Sequence, residues 1–343
     1  MRSRAKLPRV VALTIAAFAA TSPMIGQTPA SAAKAQAVPV KKWTPARTPD
    51  GHPDLQGIWS NATITPLERP LELAGKAVLS EQEAAAYERQ IRERTNVDRR
   101  PEVGTETDVA LAYNDAWYDR GTKTVKTLRT SLIVDPQDGR IPALTPEAQK
   151  KARDRAEARR LHPADGPEDR GLNERCLLTV TTGPPMLPGP YNNNYQILQT
   201  PQAVAIFNEM IHETRTIPTD GRPHLPATVR QWKGDSIGHW EGDTVVIDTT
   251  NFTEKTNFRG SGENLHLVER FRRVDAATLL YEFTVDDPAS FTRPWSAAIA
   301  STKTEGPIYE FACHEGNYGM LGILSGARAD EKKAAEKGAG ERK

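Results

Sequence analysis

Short apolar stretches separated by turn residues fill the C-terminal half of the chain, and their period is closer to two than to 3.6. They predict strands over residues 195–198, 203–217, 236–240, 244–250, 265–274, 279–286, 295–302 and 308–313. The connections are mostly short, with Glu241-Gly242 reading as a two-residue hairpin turn and 275–278 as a four-residue one. Eight consecutive strands without intervening helices cannot form a parallel sheet, which needs crossovers. The pattern therefore predicts a mainly β fold. Its core is an antiparallel meander, barrel-like in the manner of a lipocalin or folded as a sandwich.

The N-terminal half reads differently. Pro45, Pro49, Pro53, Pro66 and Pro70 keep residues 33–80 extended. Ser80-Glu81-Gln82-Glu83 is a capping box that opens a helix running to about Arg94. Residues 130–134 read as a strand turning at Asp138-Gly139. Thr145 and Pro146 start a second helix, polar nearly all round and so expected to be a solvated surface helix. Ten prolines lie between Pro163 and Pro226, marking a boundary or a rigid wrapping loop. The expected organisation is a signal peptide at 1–32, an extended and helical region at 33–175, and an antiparallel β domain at 176–326. From 327 to 343 the chain is rich in Ala, Glu and Lys with little to bury, and disorder is expected.

The signal-peptide reading comes from Arg2, Arg4, Lys6 and Arg9, the apolar run 10–20, and Ala30-Ser31-Ala32 as a small-x-small cleavage site. Eleven residues fall well short of the ~20 that a membrane-spanning helix needs. The expected location is secreted or periplasmic, without membrane insertion of the mature chain. The 343 residues carry 45 basic and 44 acidic side chains, and removing the first 32 leaves a net charge of −3. Such a surface does not steer toward nucleic acid or anionic lipid. Cys176 and Cys313, the two cysteines, are expected to pair in an oxidising compartment, closing a loop worth about 3–5 kcal/mol.

Four segments carry a resemblance. They are Pro49-Asp50-Gly51-His52-Pro53-Asp54-Leu55-Gln56-Gly57-Ile58-Trp59, Asp119-Arg120-Gly121-Thr122, Gly238-His239-Trp240-Glu241-Gly242-Asp243-Thr244 and Ala312-Cys313-His314-Glu315-Gly316-Asn317-Tyr318. Across roughly 48–326 the chain resembles an uncharacterised family of secreted bacterial proteins. The resemblance implies export and one continuous unit, and supplies no catalytic residue.

Candidate chemistry has to come from the residues themselves. Gly234-Asp235-Ser236-Ile237-Gly238 fits the nucleophile pattern G-x-S-x-G, with Asp248 or Asp286 and then His314 in the order a serine esterase uses. That pattern needs a strand turning sharply into a helix, and here a hairpin follows. His212-Glu213 and His314-Glu315 begin like H-E-x-x-H, but Thr216 and Tyr318 stand where the second histidine belongs. No C-x-x-C occurs, so no metal and no cofactor are expected. The remaining metal alternative brings His212, His239, His266 and His314 together inside a barrel.

Strict alternation over 203–217 places Phe207, Glu209, Ile211, Glu213 and Arg215 on one face, opposite Ile206, Asn208, Met210 and His212. Pairing across 275–278 makes Glu269 and Glu282 diagonal neighbours on one face, with Arg270, Arg272 and Arg273 nearby. The expected function is a polar cavity for a small organic or carbohydrate-derived ligand. His212 and His314, with Glu209 or Glu315, are its proton-transfer groups, and Asn193, Asn194, Arg215, Asn317 and Tyr318 its ligand contacts. A non-catalytic binding or envelope protein is the alternative.

Overall fold

In β9 (Thr278–Asp286), Leu279, Tyr281, Phe283 and Val285 are all at or below 1 % exposure, while the residues between them are half-buried. The same alternation builds the other strands. The computed structural model describes residues 43–99, 104–105 and 115–340, so the expected signal peptide at 1–32 lies outside them. The further strands are β1 (Gly57–Ser60), β2 (Ile133–Asp135), β3 (Asn194–Thr200), β4 (Ala203–Asn208) and β5 (Thr214–Pro218). They continue with β6 (Asp235–Glu241), β7 (Thr244–Thr250), β8 (His266–Asp275) and β10 (Trp295–Thr304). All join one antiparallel sheet, in the order β5-β4-β3-β1-β10-β9-β8-β7-β6, with β2 also pairing to β10.

The mainly β, antiparallel expectation holds. The sheet is not closed, because its two end strands, β5 and β6, share no ladder. The two strands still lie close together: a Cβ on Gly238 would come within 3.0 Å of Ile217 Cγ2. The inward face is filled by Trp59, Tyr195, Phe271, Tyr281, Phe283 and Trp295. The space enclosed by the sheet is thus a packed core. Residues from both 33–175 and 176–326 share this sheet, since β1 is inserted between β3 and β10. Two of the quoted segments meet, with His52 stacked on Trp240 at 4.6 Å between ring centres, and Arg47, just before the first of them, is paired with Asp243 at 2.8 Å.

Among the described residues three α-helices accompany the sheet. In α1 (Glu81–Thr95), Ser80 and Glu83 close the expected capping box. In α2 (Pro146–Leu161), Thr145 caps the N-terminus and Ala148 is the single buried residue, so the helix is solvated as its composition requires. The third, α3 (Tyr318–Gly340), replaces the expected disorder over 327–340. Asn317 Oδ1 accepts from Met320 N at its start, and Arg328 donates to the Ala164 and Asp165 carbonyls. Ala, Glu and Lys are strong helix formers, and the cap with the Arg328 anchors lets that propensity act. Among the described residues no helix is long and apolar enough to cross a membrane.

Three strand expectations change. Residues 203–217 are a hairpin, β4 to β5, broken where Ile211 and His212 take φ of 60° and 42°. Residues 308–313 form no strand. A register shift between Arg273 and Asp275 in the β8–β9 pair sets Glu269 opposite Phe283 and Arg270 opposite Glu282. One extra residue in a strand moves every side chain beyond it to the other face. Glu269 therefore points inward at 0 % exposure and Glu282 outward, so the two are not same-face neighbours.

Candidate functional site

The hairpin break creates the site. A β-branched residue such as Ile211 rarely adopts positive φ, and such strain collects where function requires a particular loop shape. The bent loop carries Glu209, 2 % exposed, into the wall of a cavity of about 700 Å³. Glu209 N donates to Asn194 O at 3.0 Å, fixing the loop to β3. Segment 309–311 crosses above it. Tyr309 N donates to Glu209 Oε1 at 3.0 Å, and His212 Nδ1 lies 2.9 Å from the Phe311 carbonyl, which only a protonated nitrogen can satisfy. A disulfide between Cys176 and Cys313, as expected, pins the far end.

The opposite wall is Trp117, Tyr118 and Asp119, with Tyr191 between the two sides. Asn193 holds this wall: its Nδ2 donates to the Asp119 carbonyl and its Oδ1 accepts from Gly189 N at 2.7 Å. Gly121, at φ 79°, lets the segment approach the chain after β1; a Cβ there would meet the Ala62 carbonyl carbon at 2.9 Å. Tyr191 stacks toward Phe311 at 6.3 Å between ring centres and meets Tyr118 edge-on at 6.3 Å. Partial burial, together with the charge of Glu209, raises the Asp119 carboxyl above its ordinary value.

The sign of that shift gives a stability prediction. A carboxyl raised above its unfolded value contributes stability that is present below the unfolded pKa and is lost as pH rises through the folded one. Asp119→Asn removes the titration. The variant should therefore gain stability relative to the natural protein as pH climbs from below about 4 to 7, with little difference at the acid end. Parallel urea melts across that range check this, and a difference independent of pH would contradict it.

The structure sorts the residues expected from the sequence. Glu209 and Asn194 line the cavity. His212, Asn193, Cys176 and Cys313 brace its walls. Asn317 is structural too: besides capping α3, its Nδ2 donates to the Glu174 carbonyl at 2.8 Å. His314, Glu315 and Tyr318 are exposed and do not line the cavity, so His314 and Glu315 are not brought together with Glu209. Arg215 faces the core, where it forms a two-pronged pair with Glu269 at 2.6 and 3.0 Å.

Ser236 lies within β6, 8 % exposed, and hydrogen-bonds Thr249 Oγ1 at 2.9 Å. It has neither the strand-to-helix turn nor the histidine that an esterase nucleophile requires. The four histidines do not converge. His266 binds Asp248 at 2.8 Å, and His239 binds Glu241 at 3.1 Å. Among the described residues no group of three or more His, Cys, Asp or Glu could hold a metal ion.

Sequence reasoning missed Trp117, Tyr118, Asp119, Tyr191, Tyr309, Glu310 and Phe311. A signal was available. In a chain that is only 6 % aromatic, rings cluster at 117–118, 191 and 309–311, beside two of the quoted segments. Comparison with known proteins found no matching family model, no matching curated protein and no matching solved structure.

Proposed function

We propose that this chain is an exported protein that binds a small organic or carbohydrate-derived molecule in the cavity beneath Glu209, at the rim of the sheet. Export is supported by the basic, apolar and small-residue N-terminal pattern and by the disulfide. The observation that carries the binding reading is Glu209 itself. It is a carboxylate 2 % exposed in an aromatic-walled cavity, and only its Oε1 has a hydrogen-bond partner among the described residues. With one oxygen held by a backbone donor, the carboxylate can offer the other to a ligand donor in the cavity.

The raised Asp119 carboxyl favours acid/base turnover as a second reading, with Asp119 donating and Glu209 accepting a proton in a hydrolase or lyase reaction. The mature protein, screened by thermal shift against glycosides, lactones and phenolic esters, should be stabilised by at least one compound class. Glu209→Gln should remove that stabilisation at least tenfold in apparent Kd. Products formed from a binding compound would establish turnover, and binding without products would establish a carrier. Stabilisation that survives Glu209→Gln unchanged would place the ligand elsewhere.

A further inference from the structure

The cavity walls have a charge character that its shape alone does not require. Asp119, Glu209 and Glu310 line it, and among the described residues no Lys or Arg does. The rest of the wall is mostly rings, with Trp117 and Tyr309 at 68 % and 66 % exposure offering apolar surface. An aromatic face carries negative quadrupolar density, so rings and carboxylates around one space both favour a positive guest. An example exists next to the site, where the Arg120 guanidinium lies 4.1 Å from the centre of the Tyr118 ring.

The placing of Glu209 supplies a second observation: among the described residues only its Oε1 receives a hydrogen bond, from Tyr309 N, and the side chain lies in the cavity wall. With that single backbone donor committed to Oε1, a further interaction is one that a cationic group can provide. A neutral sugar would hydrogen-bond the carboxylates but leave their charges uncompensated in a partly desolvated space. An anion would face three acidic groups.

We propose that the ligand of this cavity is an organic cation, a quaternary ammonium or a protonated amine carrying apolar groups, seated on the rings with its charge toward Glu209 and Asp119. The proposal rests on the reading of this cavity as the binding site, and its test separates the two.

The experiment titrates the mature, disulfide-bonded protein by calorimetry with choline and benzyltrimethylammonium. Each is matched to a neutral relative, 3,3-dimethylbutan-1-ol and benzyl alcohol. Methyl β-glucoside and cellobiose form a saccharide arm. The cations should bind at least tenfold more tightly than their neutral relatives. Tyr309→Ala and Glu209→Gln, both checked for an unchanged melting curve, should each weaken the cations about tenfold. Added salt should weaken the cations and leave the alcohols unaffected.

If the alcohols or saccharides bind as tightly as the cations and the same substitutions weaken them, the cation assignment fails while the cavity reading stands. If no probe binds, or if binding ignores both substitutions, the cavity reading fails with it.

Discussion

Glu269→Gln is expected to destabilise the folded protein by about 3–5 kcal/mol, the usual cost of removing one member of a buried ion pair. Glu269 is fully buried on β8 and receives three hydrogen bonds. Two come from Arg215 on β5 at 2.6 and 3.0 Å, and one from the Tyr281 hydroxyl at 2.8 Å. Burial opposes the Arg215 charge, but the Glu269 carboxylate outweighs it and the guanidinium is held more firmly protonated than usual. Burial and the same carboxylate push the Tyr281 phenol well up, so that it remains a donor. Its oxygen in turn accepts from Met186 N at 3.0 Å, linking the proline-rich segment to the core.

With the carboxylate neutralised, Arg215 stays in the core as an uncompensated charge. At about 2 °C per kcal/mol for a chain of this length, the melting temperature should fall by roughly 6–10 °C. The double substitution Arg215→Met with Glu269→Leu should recover most of that loss, because it removes both desolvation penalties together. A single variant within 1 kcal/mol of the natural protein would show that the pair is dispensable.

Replacing both Cys176 and Cys313 with serine is expected to cost about 3–5 kcal/mol, since the bond closes a loop of 137 residues and restricts the unfolded chain accordingly. A local effect should accompany the global one. Cys313 anchors the segment that carries Tyr309 and Phe311, and after its removal the Glu209 and His212 hydrogen bonds hold that segment to the loop, with Asn317 beyond it. Amide exchange at 309–313 should then quicken more than in the central strands β8 and β9, whose opening requires global unfolding. Uniform acceleration across the chain would mean the disulfide contributes only through the unfolded state.

Residue pattern alone was enough to specify most of the antiparallel strands, both N-terminal helix caps and the single cysteine pairing. Each depends on short-range rules: alternation, a capping box four residues long, and the presence of only two thiols. The same rules failed at 209–213, at 273–275 and beyond residue 326. A strict period of two cannot register a positive-φ break or a bulge, because both are decided by what the chain packs against. The candidate site was half legible for the same reason. Glu209 and Asn194 could be singled out as polar groups on or near strands, whereas Asp119 and the rings at 117–118, 191 and 309–311 are distant in the chain and gain meaning only by convergence.

Tertiary structure also decided what the selected polar residues do. It placed Arg215 in the core, gave His212, Asn193 and Asn317 bracing roles, and left His314 and Glu315 in solvent. A side chain's chemistry is inherent in its sequence. Which partner uses that chemistry depends on distances of a few ångströms, and those exist only after segments more than a hundred residues apart have been packed together.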